Sequence, residues 1–546
     1  MIKKDFLKDS YWIILIAILI LGFFLRNYHV DYPVIGYHNQ KEAHTLSEIK
    51  NFYERGDYFV PERDYYKPAK DKPYGIHADN FPLMAWIVTL VWKLSGVSLV
   101  SARTIIILFS LGAILFTYLL VEEMFKRKDF AIISAFFVSI MPVLVFFGRQ
   151  VQYESPALFF MMGALYFFWK WKNEPETIYF VLFSFMFILG GVSKYPFLVF
   201  IVPILAVFPY ERLNFKKKDF KEKYLTQYLL GATSVIIFIG WWLFSKTLNV
   251  TGKGVTIQPF MSSRLGLLFQ SSMWNAIYLY AVTDNFTKIG FFLALIGLII
   301  VIAKIKMENH RFLAFWFFSY ILFAAIAPPQ MKGHNYYQVP YAPLIAILIT
   351  YFIFFVGDSI ASFIKQKNLK VVVRIIVIVL FVVWMYPQLK LSITRQFDTQ
   401  FFGLDVAGEY IKNNGDESSW IFGSGHQDTG ITWHSERKLF ESASNVSDFK
   451  KWDEELNLEW VFIYQWGFQN ILGNKELADY ILSQYSLKQI GLQPTQNGNQ
   501  PIYFLLQKGG SFNISDINNM VKDKPLLQKT YEQTSGNPKM FYINLD

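Results

Sequence analysis

Four polar stretches interrupt the apolar runs of this 546-residue chain and carry the residue types that group transfer needs. The first is His38-Asn39-Gln40-Lys41-Glu42-Ala43-His44-Thr45, which runs on through Leu46 to Tyr53. Ile49 and Phe52 follow Thr45 at helical spacing, which predicts a short helix on the membrane surface with His38, Glu42 and Thr45 on one face. A carboxylate there could serve as general base toward an acceptor hydroxyl, or simply pair with lysine on a solvated face. The second stretch, Phe147 to Pro156, sets Arg149 and Glu154 between two apolar runs. They could pair and cap the helix that Pro156 opens, or present a carboxylate to a metal or a sugar hydroxyl. In the third, Ser193-Lys194-Tyr195-Pro196, Lys194 must lie at the membrane interface, either snorkelling or as a point charge for a lipid-linked phosphate. The fourth, Gly333-His334-Asn335-Tyr336-Tyr337, offers interface-anchoring tyrosines that with His334 could equally line a phosphate and sugar site. His38, His44 and Glu154 could hold a divalent cation, but their spacing does not specify one, and no other cofactor is implied.

These stretches must be positioned by membrane helices. Hydrophobic residues make up 53% of the chain and charged residues only 17%, where a soluble protein would carry roughly a quarter charged. Apolar runs fall near 11–27, 102–121, 131–147, 156–171, 178–193, 196–209, 228–245, 288–303, 312–327, 338–356 and 371–386, which predicts about eleven spans. The stretch Phe81–Leu94 is shorter and interrupted by Lys93, and reads as an interfacial amphipathic helix. The first run lacks a small-residue cleavage pattern and reads as an uncleaved signal-anchor. With the N-terminus inside, the short loops holding Lys126-Arg127-Lys128, Lys216-Lys217-Lys218, and Lys304 with Lys306 face the cytoplasm, as the positive-inside rule requires. The net charge of +10 is thus a topology signal, and no nucleic-acid partner is expected. The absence of cysteine excludes disulfides, thiolate metal sites and a cysteine nucleophile.

Three segments then lie outside: a long first loop near 28–100, a second near 249–288, and everything beyond 387. The expected division is a membrane domain over 1–387, a small α/β domain over 388–508 and a polar tail over 509–546. Trp420–Phe422, Trp460–Tyr464 and Ile502–Leu506 read as buried strands, and Val406–Asn413 and Lys475–Gln484 as amphipathic helices. There is no phosphate-binding G-x-x-x-x-G-K-[ST] loop and no H-E-x-x-H. Gly423-Ser424-Gly425-His426 reads as an ordinary turn.

The arrangement resembles the GT-C glycosyltransferases, most of all their protein O-mannosyltransferase and aminoarabinose transferase (ArnT-like) group. The residues that carry the likeness are His38-Asn-Gln-Lys-Glu-Ala-His-Thr with Lys50-Asn-Phe-Tyr, then Asn80-Phe-Pro-Leu, Ser193-Lys-Tyr-Pro, and His334-Asn-Tyr-Tyr with Pro340. The resemblance implies a multi-pass protein of the bacterial cytoplasmic membrane with its C-terminal domain outside. It implies inverting transfer of a sugar from a polyprenyl-phosphate donor to an external lipid, glycan or protein acceptor. It carries the base onto Glu42 and the second-loop acid onto Glu154. The donor phosphate and sugar would fall to Lys194, His334 and Tyr337, with Arg149, Tyr336 and His38 beside them. Two family features are missing. Lys41 and Ala43 flank Glu42 where paired acids are typical, and Asp79-Asn80-Phe81-Pro82 stands in place of a lysine–proline–proline signature, which makes Asp79 a second candidate acid. The alternative is a lipid-linked-sugar transporter or flippase without transferase activity. Transporters show inverted repeats and broken polar helices at the midplane, whereas the polar groups here gather at one edge.

Overall fold

In the computed structural model the described residues are 2–69, 72–216, 218–248, 265–441 and 445–545. Lys217 and the part of the expected second loop over 249–264 lie outside them.

Each apolar run folds as helix, because backbone groups in lipid have no other partner than their own chain. The helices that build the bundle are α1 (Ile2–Asn27), α4 (Leu99–Phe125), α5 (Lys128–Ile140), α6 (Pro142–Phe146), α7 (Glu154–Asn173), α8 (Thr177–Ser193), α9 (Ile201–Ala206), α10 (Leu225–Leu248), α11 (Ser271–Leu279), α12 (Lys288–Ala303), α13 (Glu308–Ile326), α14 (Pro328–Gly333), α15 (Ala342–Ser362) and α16 (Lys367–Asp398). The first loop contributes α2 (Asn39–Arg55) and α3 (Leu83–Ser95). Among the described residues five helices are long and apolar enough to cross a membrane, or six if the pair Ser271–Asn285 and Lys288–Ala303, bent by 111°, counts as one span. This is fewer than the eleven expected. The run at 131–147 is broken where Pro142 opens α6, and the run from 196 is split between a 3-10 turn over Tyr195–Phe200 and the six residues of α9.

Ser98 and Thr287 begin α4 and α12 by accepting hydrogen bonds from the backbone N–H groups of Ser101 and Gly290. Helices α12 and α15 approach so closely that a Cβ on Gly297 would stand 2.2 Å from the Leu348 carbonyl oxygen.

A short helix, α3, covers most of the stretch 81–94. Met84, Ala85, Val88, Thr89 and Trp92 form its buried stripe, while Leu90 and Leu94 remain exposed. That stripe packs on Ala43, Leu46, Ile49 and Phe52 of α2.

Beyond the bundle lies one nine-stranded sheet. Its strands are β1 (Glu62–Ala69), β2 (Lys72–Ile76), β3 (Trp420–Gly423), β4 (Lys438–Glu441), β5 (Leu458–Tyr464), β6 (Tyr485–Thr495), β7 (Gly498–Lys508), β8 (Leu527–Thr530) and β9 (Lys539–Asn544), in the order β2-β1-β4-β3-β5-β7-β6-β9-β8. The strands expected at 420–422, 460–464 and 502–506 are the interior β3, β5 and β7. Along β5, Trp460, Phe462 and Tyr464 enter one core, and Val461 and Ile463 the other. The helix at Lys475–Gln484 also forms, and Val406–Asn413 lies within α17 (Leu404–Asn414).

The expected divisions need three corrections. Residue 387 is not a boundary: α16 runs uninterrupted through Pro387 to Asp398, because its amphipathic pattern outlasts the change in composition. The segment from 509 is not a separate tail, since β9 pairs antiparallel with β6 and with β8, burying Tyr531, Met540 and Ile543. Nor is the sheet confined to the C-terminal region. The β1–β2 hairpin comes from the first loop and joins it through the parallel pairing of Tyr65 with Leu439 and Tyr66 with Phe440. That pairing anchors the first loop to the sheet and fixes α2 between the sheet and the bundle.

Candidate active site

Where α2, β1, the start of α7 and the α8 terminus meet, they enclose a polar cavity of about 180 Å³. From α2 come Lys41, His44 and Thr45; from β1, Arg63; from the turn before α3, Asp79 and Asn80. Gln152 and Glu154 enter at the start of α7, Lys194 at the end of α8, and Tyr337 before α15. The expected helix at 38–53 is therefore real, but its faces are set differently. His38 adopts a left-handed backbone (φ 58°) just before the helix, and does not belong to its face. Lys41, Thr45 and Glu48, at helical spacing, face the polar side. Glu42 instead shares the register of Leu46 and Ile49, which are core.

Glu42 is consequently absent from the cavity wall. Its two oxygens accept from Arg103 Nε and Nη2, both at 2.9 Å, and the Val151 backbone N–H adds a third bond at 3.2 Å. Burial pushes its pKa up, but the Arg103 guanidinium outweighs that and holds the carboxyl below its ordinary range. Arg103 also donates through Nη1 to the carbonyls of Val30 (3.0 Å) and Tyr32 (2.6 Å). The pair thus ties the first loop to the N-terminal part of α4. Arg149 does similar work, donating to the carbonyl of Tyr28 at 2.7 Å and lying over the Phe397 ring at 4.6 Å. It too does not line the cavity.

Glu154, Lys194 and Asp79 do converge there. Glu154, 1% exposed, faces Lys194 Nζ at 2.6 Å. Asp79 has no hydrogen-bond or ion-pair partner among the described residues and opens to the cavity. The ammonium of Lys41 is likewise unpaired among the described residues. Its pKa is depressed to about 8 by burial, with Lys194 and Arg63 adding repulsion. Arg63 is oriented by Glu48 at 3.4 Å. The cavity therefore holds three cations against two carboxylates.

An aromatic annex continues from it. Lys194 Nζ lies 5.3 Å over the Tyr336 ring, which stacks on His334 with centroids 4.9 Å apart. His38 packs edge-on against Tyr336, and its Nε2 meets Asn335 Oδ1 at 3.0 Å. Burial keeps both imidazoles neutral, with pKa values of about 3 for His38 and about 4 for His334, the latter lowered further by Lys41 and Lys194. His44 is buried, and neither ring nitrogen has a hydrogen-bond partner among the described residues.

Comparison with known proteins bears on the fold that holds this cavity. Residues 71–244 match the family model described as dolichyl-phosphate-mannose-protein mannosyltransferase. An uncharacterized protein of Aquifex aeolicus is 24% identical over 399 residues, 73% of this chain and 72% of that one. Among solved structures, ArnT from Cupriavidus metallidurans bound to undecaprenyl phosphate superposes with a TM-score of 0.61 at 10% identity, over 91% of this chain and 98% of that chain. The oligosaccharyltransferase AglB from Archaeoglobus fulgidus, in complex with an inhibitory peptide and a dolichol-phosphate, gives 0.60 at 14% identity, over 94% and 75%. The fold is that of the GT-C glycosyltransferases.

Within this GT-C fold the suggested metal set does not assemble. Among the described residues no three His, Cys, Asp or Glu side chains stand close enough to hold a metal. His38 is engaged with Asn335, and the Lys194 ammonium already occupies the cation position at Glu154. No step is therefore routed through a metal. Lys41, Arg63 and Arg103 are not assigned a role by the motifs in the chain. Arg103 did carry a signal, being an ionisable side chain inside the apolar run 102–121. Lys41 carried one in its spacing from Thr45 and Glu48.

Proposed function

We propose that this chain is an inverting integral-membrane glycosyltransferase, moving a sugar from a polyprenyl-phosphate donor to an extracytoplasmic acceptor. The observation that carries the reading is the cation-rich cavity set between an apolar bundle and a sheet, with a free carboxylate on its wall. The phosphate departs as an anion and needs positive charge rather than a proton, which Lys194, Lys41 and Arg63 supply. The acceptor oxygen attacks the anomeric carbon from the face opposite the phosphate. The new C–O bond forms as the bond to the phosphate oxygen breaks, and the acceptor proton passes to a carboxylate. We assign that role to Asp79, whose oxygens have no partner among the described residues, with Glu154 orienting Lys194 and Glu42 positioning α2 through Arg103. The aromatic annex of Tyr336, Tyr337 and His334 offers stacking faces and neutral hydrogen-bonding groups to the sugar.

Mass spectrometry of lipids that co-purify with the gently solubilised protein tests the donor. A polyprenyl phosphate or polyprenyl-phosphate sugar, depleted in Lys194→Ala, is the expected result. Bulk phospholipid alone, unchanged by that substitution, would overturn the donor assignment.

A further inference from the structure

A second and larger cavity, of about 610 Å³, opens at the far end of the bundle, where α4 and α12 finish and α5 and α13 begin against α15. From Arg103 beside Glu42 to Phe125 at this cavity, α4 rises about 33 Å at 1.5 Å per residue. The two sites therefore lie at opposite ends of the bundle, and the transfer chemistry makes no use of the second.

Its composition is specific. Phe125, Phe130 and Phe354 form an apolar floor, with the Arg127 guanidinium 4.9 Å over the Phe354 ring. Arg127 is held by Asp129 at 2.7 Å, and Asp358 by Arg374 at 2.6 Å. Lys304 is different: among the described residues its ammonium has no carboxylate partner, only the Tyr351 hydroxyl at 3.4 Å. That hydroxyl is fixed in turn by His310 Nε2 at 2.7 Å, and His310 Nδ1 by Asn309 Oδ1 at 2.7 Å. An uncompensated cation thus sits beside an oriented phenol. At the rim, Met307 is 52% exposed and Phe355 46% exposed.

We propose that this cavity binds a phosphate group, the head group of an anionic phospholipid, with Lys304 as its counter-charge and its chains lying along Phe355 and Met307. A phosphate oxygen suits a point-charge ammonium, and basic pockets between membrane helices at the bilayer edge are the setting in which such head groups are held. The exposed apolar rim favours a lipid over free phosphate, although both share the chemistry that Lys304 recognises.

Native mass spectrometry of the full chain in detergent distinguishes the sources, using phosphatidylglycerol, phosphatidylcholine and inorganic phosphate as separate probes. The expected result is preferential retention of phosphatidylglycerol over phosphatidylcholine. About a tenfold loss of that adduct is expected in Lys304→Ala, restoration in Lys304→Arg, and no change in Lys306→Ala, which lies off the cavity lining. Equal retention of the two lipids, or an adduct indifferent to Lys304→Ala, would overturn the proposal. Displacement of the lipid by millimolar inorganic phosphate would keep the phosphate site but overturn the lipid assignment.

Discussion

Replacing Glu42 by glutamine separates a structural role from a catalytic one. The Glu42 and Arg103 side chains are 3% and 2% exposed, and their two bonds at 2.9 Å neutralise a charge that water cannot reach. Removing one partner of such a pair costs about 3–5 kcal/mol, because the other charge stays buried. Arg103 Nη1 keeps its carbonyl partners at Val30 and Tyr32, so the lower end applies, about 3 kcal/mol. At roughly 2 °C per kcal/mol for a large cooperative unit, Glu42→Gln melts about 6 °C below the parent in a thermal-shift assay. The double replacement Glu42→Met with Arg103→Met recovers most of that loss, since two apolar side chains leave no orphaned charge. The pH dependence follows the same pair. With the folded carboxyl held below its unfolded value, the pair's stabilisation is present above the unfolded pKa, about 4.3, and is lost as pH falls through the lowered folded value. Asp79→Asn, at a carboxylate with no partner among the described residues, leaves the melting temperature unchanged and lowers sugar transfer by about 10²–10⁴-fold, the span ascribed to a general base. If Glu42→Gln melts normally yet loses transfer while Asp79→Asn stays active, the assignment is refuted and Glu42 is the base.

The depressed pKa of Lys41, about 8, predicts that donor affinity falls as pH rises through that value, when the ammonium loses its proton. Lys41→Arg flattens the profile, and a parent profile flat from neutral to strongly alkaline pH would remove Lys41 from the donor site. Gly297→Ala forces a Cβ against the Leu348 carbonyl at 2.2 Å and destabilises by about 1–3 kcal/mol in thermal unfolding. Gly240→Ala in α10, where a Cβ meets nothing within 4 Å, is its silent counterpart. Asp398 accepts from Thr534 N (2.7 Å) and Oγ1 (2.8 Å) and from Ser535 N (3.1 Å) and Oγ (2.8 Å). Asp398→Ala therefore speeds amide exchange across β8 and β9 by about tenfold, with the bundle amides unmoved.

What the sequence discloses depends on how far apart the deciding residues lie. Apolar runs and buried strands are local facts, so each run reappears as helix and Trp460–Tyr464 reappears within β5. The β1–β2 hairpin was not legible, because its place is decided by Leu439 and Phe440, more than three hundred residues away, and nothing in Glu62–Ile76 announces that partner. The tail failed for a related reason: β9 is a strand because β6 offers it an edge. Broken spans were legible in principle, since Pro142 and Pro196 are visible in the chain, but hydropathy averaged over a window passes across them.

The candidate site turns on a single step of helical register. Lys41 and Glu42 are neighbours, and a 100° rotation places one in a polar cavity and the other in a sealed ion pair. Proximity to the family pattern favours Glu42, but the periodicity of Leu46, Ile49 and Phe52 puts it on the core face, where a carboxylate persists only with a buried cation. The lone arginine of α4 is that cation. The pair could have been inferred from two observations that hydropathy treats separately: an acid in register with the core of a short helix, and a base at the start of an apolar span. With Glu42 committed to Arg103, the α2 side chains on the cavity wall are Lys41, His44 and Thr45, so under the proposed transfer the base comes from another element. Asp79, carried by the turn that enters α3, is a carboxylate on that wall with no hydrogen-bond or ion-pair partner among the described residues.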